Sequence, residues 1–311
     1  MSLTVLFEHP TWQRPLFDAL DARGVAYTPF DLKSATVDAL APPPSRLIFS
    51  QASPSAYTRG HGQAVAMATA VMDHWAAQGA RVLNGGPAFR LELNKLAQVA
   101  LLDRLGLDAP RTIAFNALGA LPKDAVYPAI LKPNQGGSGA RMSVVESAEH
   151  LREVLEADPS LWTPDPILLL QEKLDPRPDM NGIVRMEFVG GELLYAMRVT
   201  NTDGFNLCPS EDCNPADGSD GACAIPTTAP PEFHPYPDVP TEAVVQATRL
   251  FAATGFDVGG LEYMDTVDGR RVFYDMNANS NLRRPIGEAM GFDPFDRVAA
   301  WLERELDRAG L

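Results

Sequence analysis

Glu262 and Asp275 are the two residues whose spacing points most directly to chemistry. They belong to Gly260-Leu261-Glu262-Tyr263-Met264-Asp265-Thr266 and Val272-Phe273-Tyr274-Asp275-Met276-Asn277-Ala278-Asn279, two runs of strand-forming residues on either side of Asp268-Gly269. That dipeptide is the strongest short-range hairpin signal, because a type I′ turn needs positive φ at both central residues. With those two residues as the whole loop, Val267 faces Arg270, Tyr263 faces Tyr274 and Glu262 faces Asp275. Directly opposed Cβ atoms lie roughly 4.5–5.5 Å apart and like charges there are destabilising, so the pair calls for a bridging cation or a shared proton. Asn277 points to the same face and brings a neutral oxygen opposite Gly260, which has no side chain to obstruct it. Leu261, Tyr263, Val272, Tyr274 and Met276 turn to the other face, toward the core. The acidic face is a candidate Mg²⁺ site of hard oxygen ligands, with a solvated polar face as the plainer alternative.

Other stretches carry cations or open backbone. Tyr127 to Pro133 reads as a short buried strand that ends on Lys132, followed by Asn134-Gln135-Gly136-Gly137-Ser138-Gly139-Ala140. A glycine-rich loop of this kind can lay N–H groups on phosphate oxygens while the lysine supplies a point charge. It is neither a Walker loop nor a Rossmann fingerprint, and hairpin loops without ligands look similar. Pro166 to Leu170 is a buried strand that turns polar at Gln171-Glu172-Lys173-Leu174, which suits a crossover with exposed backbone. Ile183 to Phe188 and Leu193 to Val199 form a hairpin about Gly190-Gly191. Counted as a two-residue loop, it sets Arg185 opposite Ala196, with Arg198 opposite Ile183 on the same face. Two converging arginines suit an anion; the alternative pairs Arg185 with Glu187.

The elements that must position these residues alternate. Strands at Thr4 to Glu8, Val25 to Phe30, Arg46 to Ser50 and Ala80 to Asn84 interleave with helices at Trp12 to Arg23 and Gln63 to Gln78. Such alternation implies a parallel sheet with covered faces, whose strand-end loops carry ligand contacts. One of those loops holds Arg59 and His61, which read equally well as exposed loop residues. Phe89 to Leu105 is expected as a single helix in which Lys95, taken alone, is a solvated lysine. Thr200 to Pro240 breaks into Gly, Pro, Asn, Asp and Ser, and a structureless loop of that length is usually functional or disordered. It contains Cys208, Cys213 and Cys223, whose spacing matches no zinc pattern. Thr241 to Thr254 and Asp293 to Arg308 are amphipathic helices.

With 45% hydrophobic and 21% charged residues the composition is that of a globular chain, and a net charge of −14 disfavours nucleic acid as a partner. No apolar run reaches the length of about 20 residues that a bilayer span requires, and the N-terminus lacks a signal-peptide pattern, so a soluble cytoplasmic protein is expected. A homodimer is a common outcome for soluble enzymes.

Taken in order, Asn94-Lys95 with Gly106 to Thr112, Leu131-Lys132-Pro133 with its glycine loop, Leu170 to Lys173, the Arg185 hairpin, and Glu262 with Asp275-Met276-Asn277 resemble the ATP-grasp superfamily. Within it, the chain is similar to the glutamate-ligase-like carboxylate–amine ligases, over most of its length. The resemblance implies an α/β class, with α+β character in the lid: an N-terminal parallel α/β domain (1–93), a small lid subdomain (94–174) and a C-terminal mixed-sheet domain (175–311) with the metal site and the 200–240 loop.

It further implies that Lys95 and Lys132 contact ATP phosphates beneath a lid loop of Gly136, Gly137, Ser138 and Gly139. Glu172 and Leu174 would bond the adenine through backbone, with Gln171 and Lys173 also in the nucleotide site, and Asp179 would hold the ribose hydroxyls. Glu262, Asp275 and Asn277 would hold Mg²⁺, or Mn²⁺ in its place, and Arg185 and Arg198 would face the transferred phosphoryl group. Arg59, Asn206, Cys208, Asn279 and Arg283 are candidate substrate contacts. The chain departs from the family pattern in lacking Pro-Gly after Asn277 and in carrying glutamate at 262, where aspartate is frequent, so the substrate cannot be transferred with the fold.

The expected reaction activates a carboxylate as an acyl phosphate and captures it with an amine, giving an amide, ADP and phosphate. The acid and amine would be amino acids or short peptides. A ligase that modifies a ribosomal peptide, and a nucleotide-binding regulatory protein without catalysis, are the alternatives.

Overall fold

In a computed structural model, residues 3–137, 139–180, 182–201, 205, 231–280, 282–308 and 310 are described. Ser138, Asn206, Cys208, Cys213 and Cys223 lie outside them.

Strands β1 (Leu3–Phe7), β2 (Tyr27–Asp31), β3 (Leu47–Gln51) and β4 (Arg81–Leu83) form a parallel sheet in the order β2-β1-β3-β4. β1 and β3 are buried throughout, as expected of parallel strands covered on both faces. Helix α1 (Pro10–Ala22) starts where His9 accepts the Trp12 amide, and α2 (Gly62–Ala77) follows a short 3₁₀ turn, Pro54–Arg59. That turn sits just past β3, at the carboxyl end of the sheet, where open α/β sheets present their ligand contacts.

The stretch expected as one helix is two, α3 (Gly86–Glu92) and α4 (Lys95–Arg104). Asn94 leaves helical geometry and its side chain accepts the Ala97 amide, so it caps a new helix. Lys95 thereby becomes the first residue of α4 instead of a mid-helix surface residue. Strands β5 (Thr112–Phe115), β6 (Ala129–Pro133) and β7 (Ser143–Val145), helix α5 (Ala148–Ala157) and strand β8 (Leu168–Glu172) follow. Their sheet is antiparallel, in the order β5-β8-β6-β7, and the glycine-rich loop joins β6 to β7. It has its own apolar core around Leu131, Leu151 and Leu170.

A third sheet holds β9 (Ile183–Val189), β10 (Glu192–Thr200), β11 (Glu232–Pro235), β12 (Val258–Asp265) and β13 (Arg271–Asn277) in the order β11-β10-β9-β12-β13. Every pairing in it is antiparallel, where a mixed sheet is expected from sequence. β11 falls within the segment expected to be structureless, and pairs with the end of β10. One face packs on α6 (Thr241–Thr254), with Phe188 stacked on Phe251 at 4.5 Å. Truncating a buried phenylalanine of this kind costs about 3–5 kcal/mol. The other face joins the parallel sheet through a core shared by Phe49, Val258 and Trp301 of the last helix; α7 (Arg284–Ala289) and α8 (Pro294–Arg308) complete the chain. Among the described residues no helix is long and apolar enough to cross a membrane.

Both hairpins of this sheet carry a bulge. In β12–β13 the pairing starts at Asp265 with Arg271, one residue wider than a two-residue loop allows, and Thr266 bonds across the turn to Arg270. A shift between Glu262 and Tyr263 then brings Glu262 opposite Asp275 and Gly260 opposite Asn277. In β9–β10 the turn is as counted, Val189 opposite Glu192, but a shift between Leu193 and Tyr195 sets Arg185 opposite Met197 and Arg198 opposite Val184. Since faces alternate along a strand, Arg198 lies on the far face from Arg185.

Candidate active site

A cavity of about 270 Å³ opens between the three sheets. Ser53 and Ser55 come to it from the 3₁₀ turn, Glu92 and Lys95 from the break between α3 and α4, and Lys132, Gly136, Gly137 and Gly139 from β6 and its loop. Gln171 to Leu174 line it from the end of β8, and Arg185, Glu262, Tyr274, Asp275, Asn277 and Asn279 from the antiparallel sheet.

The acidic ladder is held by cations. Arg185, buried, donates from Nε to Glu187 at 2.5 Å and from Nη1 to Glu262 at 2.8 Å. Lys95 bonds Asp275, and Asn277 donates to the other oxygen of the same carboxylate at 3.2 Å. A Cβ at Gly260 would stand 2.6 Å from an Arg185 nitrogen and 2.8 Å from a Glu187 oxygen, so a side chain here would displace the bridging guanidinium. Burial raises the Glu262 carboxyl; Arg185 opposes the rise and Asp275 across the ladder adds to it, with a net upward shift. Asp275 is raised by burial too, but Lys95 and Lys132 outweigh that and hold it below the usual carboxylate range. Lys132, itself buried, is pushed down to about 7 by desolvation and by the Lys95 charge, against the pull of Asp275 and Glu262. Two lysines held close to two carboxylates in a buried cavity are suited to a polyanion with a divalent cation. Among the described residues no three His, Cys, Asp or Glu side chains converge, and Asn277 is the amide beside the two carboxylates on the cavity wall.

The loop and crossover are anchored by residues that sequence reasoning did not single out. Asn134, at the start of the glycine loop, accepts the Leu96 amide at 3.0 Å and donates to Asp165, tying the loop to the first turn of α4. A Cβ on Gly137 would come 2.8 Å from that of Ser55, so the loop seats directly on the 3₁₀ turn. The bulge sends Tyr274, a core residue by simple alternation, to the cavity wall, where its buried hydroxyl faces the Glu262 carboxylate. Nothing in the sequence marks Glu92 apart from its place three residues before Lys95.

Several expected contacts sit elsewhere. Arg198 is turned away by the bulge. Asp179 is exposed and ion-paired with Arg177 at 2.6 Å, outside the cavity lining. Gln171 lines the cavity while its side chain donates to Thr112; the Glu172 side chain is turned to Arg270 at 2.6 Å, and Lys173 pairs with Asp175. The charged side chains of Glu172 and Lys173 are thus engaged by Arg270 and Asp175. Arg59 is not an exposed loop residue: it grips Glu8 through two nitrogens, donates to Ser55 at 3.0 Å and lies over Trp12. Burial would raise Glu8, yet Arg59 and His61 keep its carboxyl low. Arg283 donates its amide to the Tyr195 hydroxyl and covers Phe233, away from the cavity. Asn279 does line it, buried at 7% exposure.

No family model and no curated protein matches the chain. Solved structures do. A RimK domain protein from Sphaerobacter thermophilus, described as ATP-grasp, superposes with a TM-score of 0.69 at 17% identity, covering 97% of this chain and 99% of its own. The VanG D-Ala:D-Ser ligase from Enterococcus faecalis gives 0.68 at 12% identity, over 97% and 98%. The ATP-grasp ligase PsnB, complexed with a minimal precursor, gives 0.64 at 18% identity, over the same shares. Identities this low speak to architecture alone, and with a parallel sheet, a glycine-looped antiparallel sheet and a carboxylate-bearing third sheet around one cavity, the chain has the ATP-grasp fold.

Proposed function

We propose that the chain is an ATP-dependent carboxylate–amine ligase, organised as an N-terminal domain (1–93), a lid (94–174) and a C-terminal domain (175–311). The observation that carries this reading is the convergence of Lys95, Lys132, Arg185, Glu262, Asp275 and Asn277 on one cavity. The donor set fits Mg²⁺, because two carboxylates and an amide oxygen from adjacent strands supply hard ligands beside a side-chain-free glycine. Glu262, Asp275 and Asn277 would hold the ion, which when bound neutralises charge between the β- and γ-phosphates.

In this reading Lys95 and Lys132 bind the phosphates, the glycine loop covers them, and the backbone of Glu172 and Leu174 bonds the base. The substrate carboxylate attacks the γ-phosphorus, ADP leaves, and Arg185 faces the acyl phosphate. An amine then attacks the acyl carbon, loses a proton and expels phosphate as the amide forms. Protein groups position and neutralise; none needs to form a covalent bond.

PsnB shares this fold and has been solved with a precursor peptide, which keeps a ribosomal peptide as the second reading of the substrate. Amino acids and short peptides supplied in pairs discriminate the readings. ADP forming only when an acid and an amine are both present supports ligation, whereas tight ATP binding without turnover would leave a nucleotide-binding regulator.

A further inference from the structure

Glu92 ends α3 and Asn279 lies two residues past β13, and both line the cavity with exposures of 3% and 7%. They are joined: Glu92 Oε1 accepts the Asn279 amide at 3.1 Å, and Asn279 Nδ2 donates to the Gln51 carbonyl at 3.3 Å. Glu92 Oε2 and Asn279 Oδ1 are buried with no hydrogen-bond partner among the described residues. Buried polar atoms are nearly always paired, so two orphaned acceptors on one cavity wall mark a place where a donor belongs. The neighbouring cations do not fill it, since Lys95 is spent on Asp275 and Arg185 on Glu187 and Glu262.

We propose that Glu92 and Asn279 seat the nitrogen of the amine substrate, an inference that rests on the ligase reading above. A primary ammonium carries three protons, enough to serve both acceptors; a hydroxyl carries one and an anion none. Burial pushes the Glu92 carboxyl up to about 8, aided by Asp275 and only partly opposed by the Asn279 amide, Lys95 and Arg185, so the carboxylate form lacks a close positive partner that an ammonium would supply. Glu92 feels the charges of Asp275, Lys95 and Arg185, so the seat lies close to the groups that the ligase reading assigns to the phosphates and the acyl phosphate.

The test uses the full chain saturated with Mg·AMP-PNP. Methylammonium, ethylammonium and the twenty L-amino acids are titrated calorimetrically against their N-acetyl counterparts, into wild type, Glu92→Gln and Asn279→Ser. Gln keeps an oxygen for the Asn279 amide, and thermal unfolding of each variant checks folding. At least one primary ammonium should bind wild type and its acetylated form should not, with Glu92→Gln weakening binding roughly ten- to hundredfold and Asn279→Ser less. Equal affinity in Glu92→Gln, equal binding of the acetylated form, or no ammonium bound below about 10 mM overturns the seat. Failure of AMP-PNP itself to bind would instead remove the ligase reading.

Discussion

The β9–β10 and β12–β13 hairpins begin alike, each from a glycine-bearing turn and each broken by one bulge, yet they treat their charged residues in opposite ways. In β12–β13 the turn is one residue longer than its Asp268-Gly269 signal suggests, and the bulge at Tyr274 restores the count. Glu262 and Asp275 therefore meet, and Tyr274 is what the bulge displaces into the cavity. In β9–β10 the turn is as short as counted and the bulge at Leu194 has nothing to offset it, so Arg185 and Arg198 part to opposite faces. A bulge reverses every side chain beyond it, and an even number of inserted residues leaves facing pairs unchanged. Arg185 alone of the two arginines then serves the acidic site, bridging Glu187 and Glu262 while Lys95 pairs with Asp275.

Substitutions can break that contrast, starting with the hairpin whose carboxylates meet. Asp275→Asn removes one ladder carboxylate with little change in shape; loss of about 4 kcal/mol of charge stabilisation lowers Mg·ATP-dependent ADP release roughly a thousandfold. Full ADP release by a folded Asp275→Asn would remove the metal assignment. Arg185→Ala strands Glu187 and Glu262 in the interior, and its urea midpoint should report a loss of about 3 kcal/mol; an unshifted midpoint would mean the carboxylates are relieved some other way.

Lys132 faces the same hairpin from the lid sheet. Its folded value near 7 lies below its ordinary 10.5, so the native state binds fewer protons than the unfolded chain between those values. Stability therefore rises with pH across that window. Relative to Lys132→Met, wild type should gain about 1–2 kcal/mol from pH 7 to 9 in chemical denaturation; parallel pH profiles would contradict the burial of its charge. Arg198→Ala, on the far face, should change stability by less than about 0.5 kcal/mol and turnover by less than about twofold. A large loss of activity there would restore the paired-arginine site.

Periodicity and turn chemistry make the alternating strands, the glycine loop and the acidic hairpin legible in the sequence. What escaped has local causes. The apolar spacing of Phe89 to Leu105 continues through Asn94, and only its capping bond to Ala97 ends one helix and starts another, which converts Lys95 from a surface residue to a buried one. Bulges leave no residue signature in these strands, so simple alternation puts Arg198 on the Arg185 face and Tyr274 in the core, where the structure has neither. Asp179 carries the right chemistry for a ribose, but Arg177 two residues away claims it at the surface. Glu92 looks like any helix-end glutamate until the fold buries it against Asn279.

The central claim is that the acidic face of β12–β13 holds the metal of a nucleotide bound in the cavity. Calorimetric titration of AMP-PNP with and without Mg²⁺, in wild type and in Asp275→Asn, tests it directly. Mg²⁺ should tighten binding to wild type by roughly tenfold or more and leave the variant nearly unaffected. The same Mg²⁺-dependent gain in both proteins would contradict it.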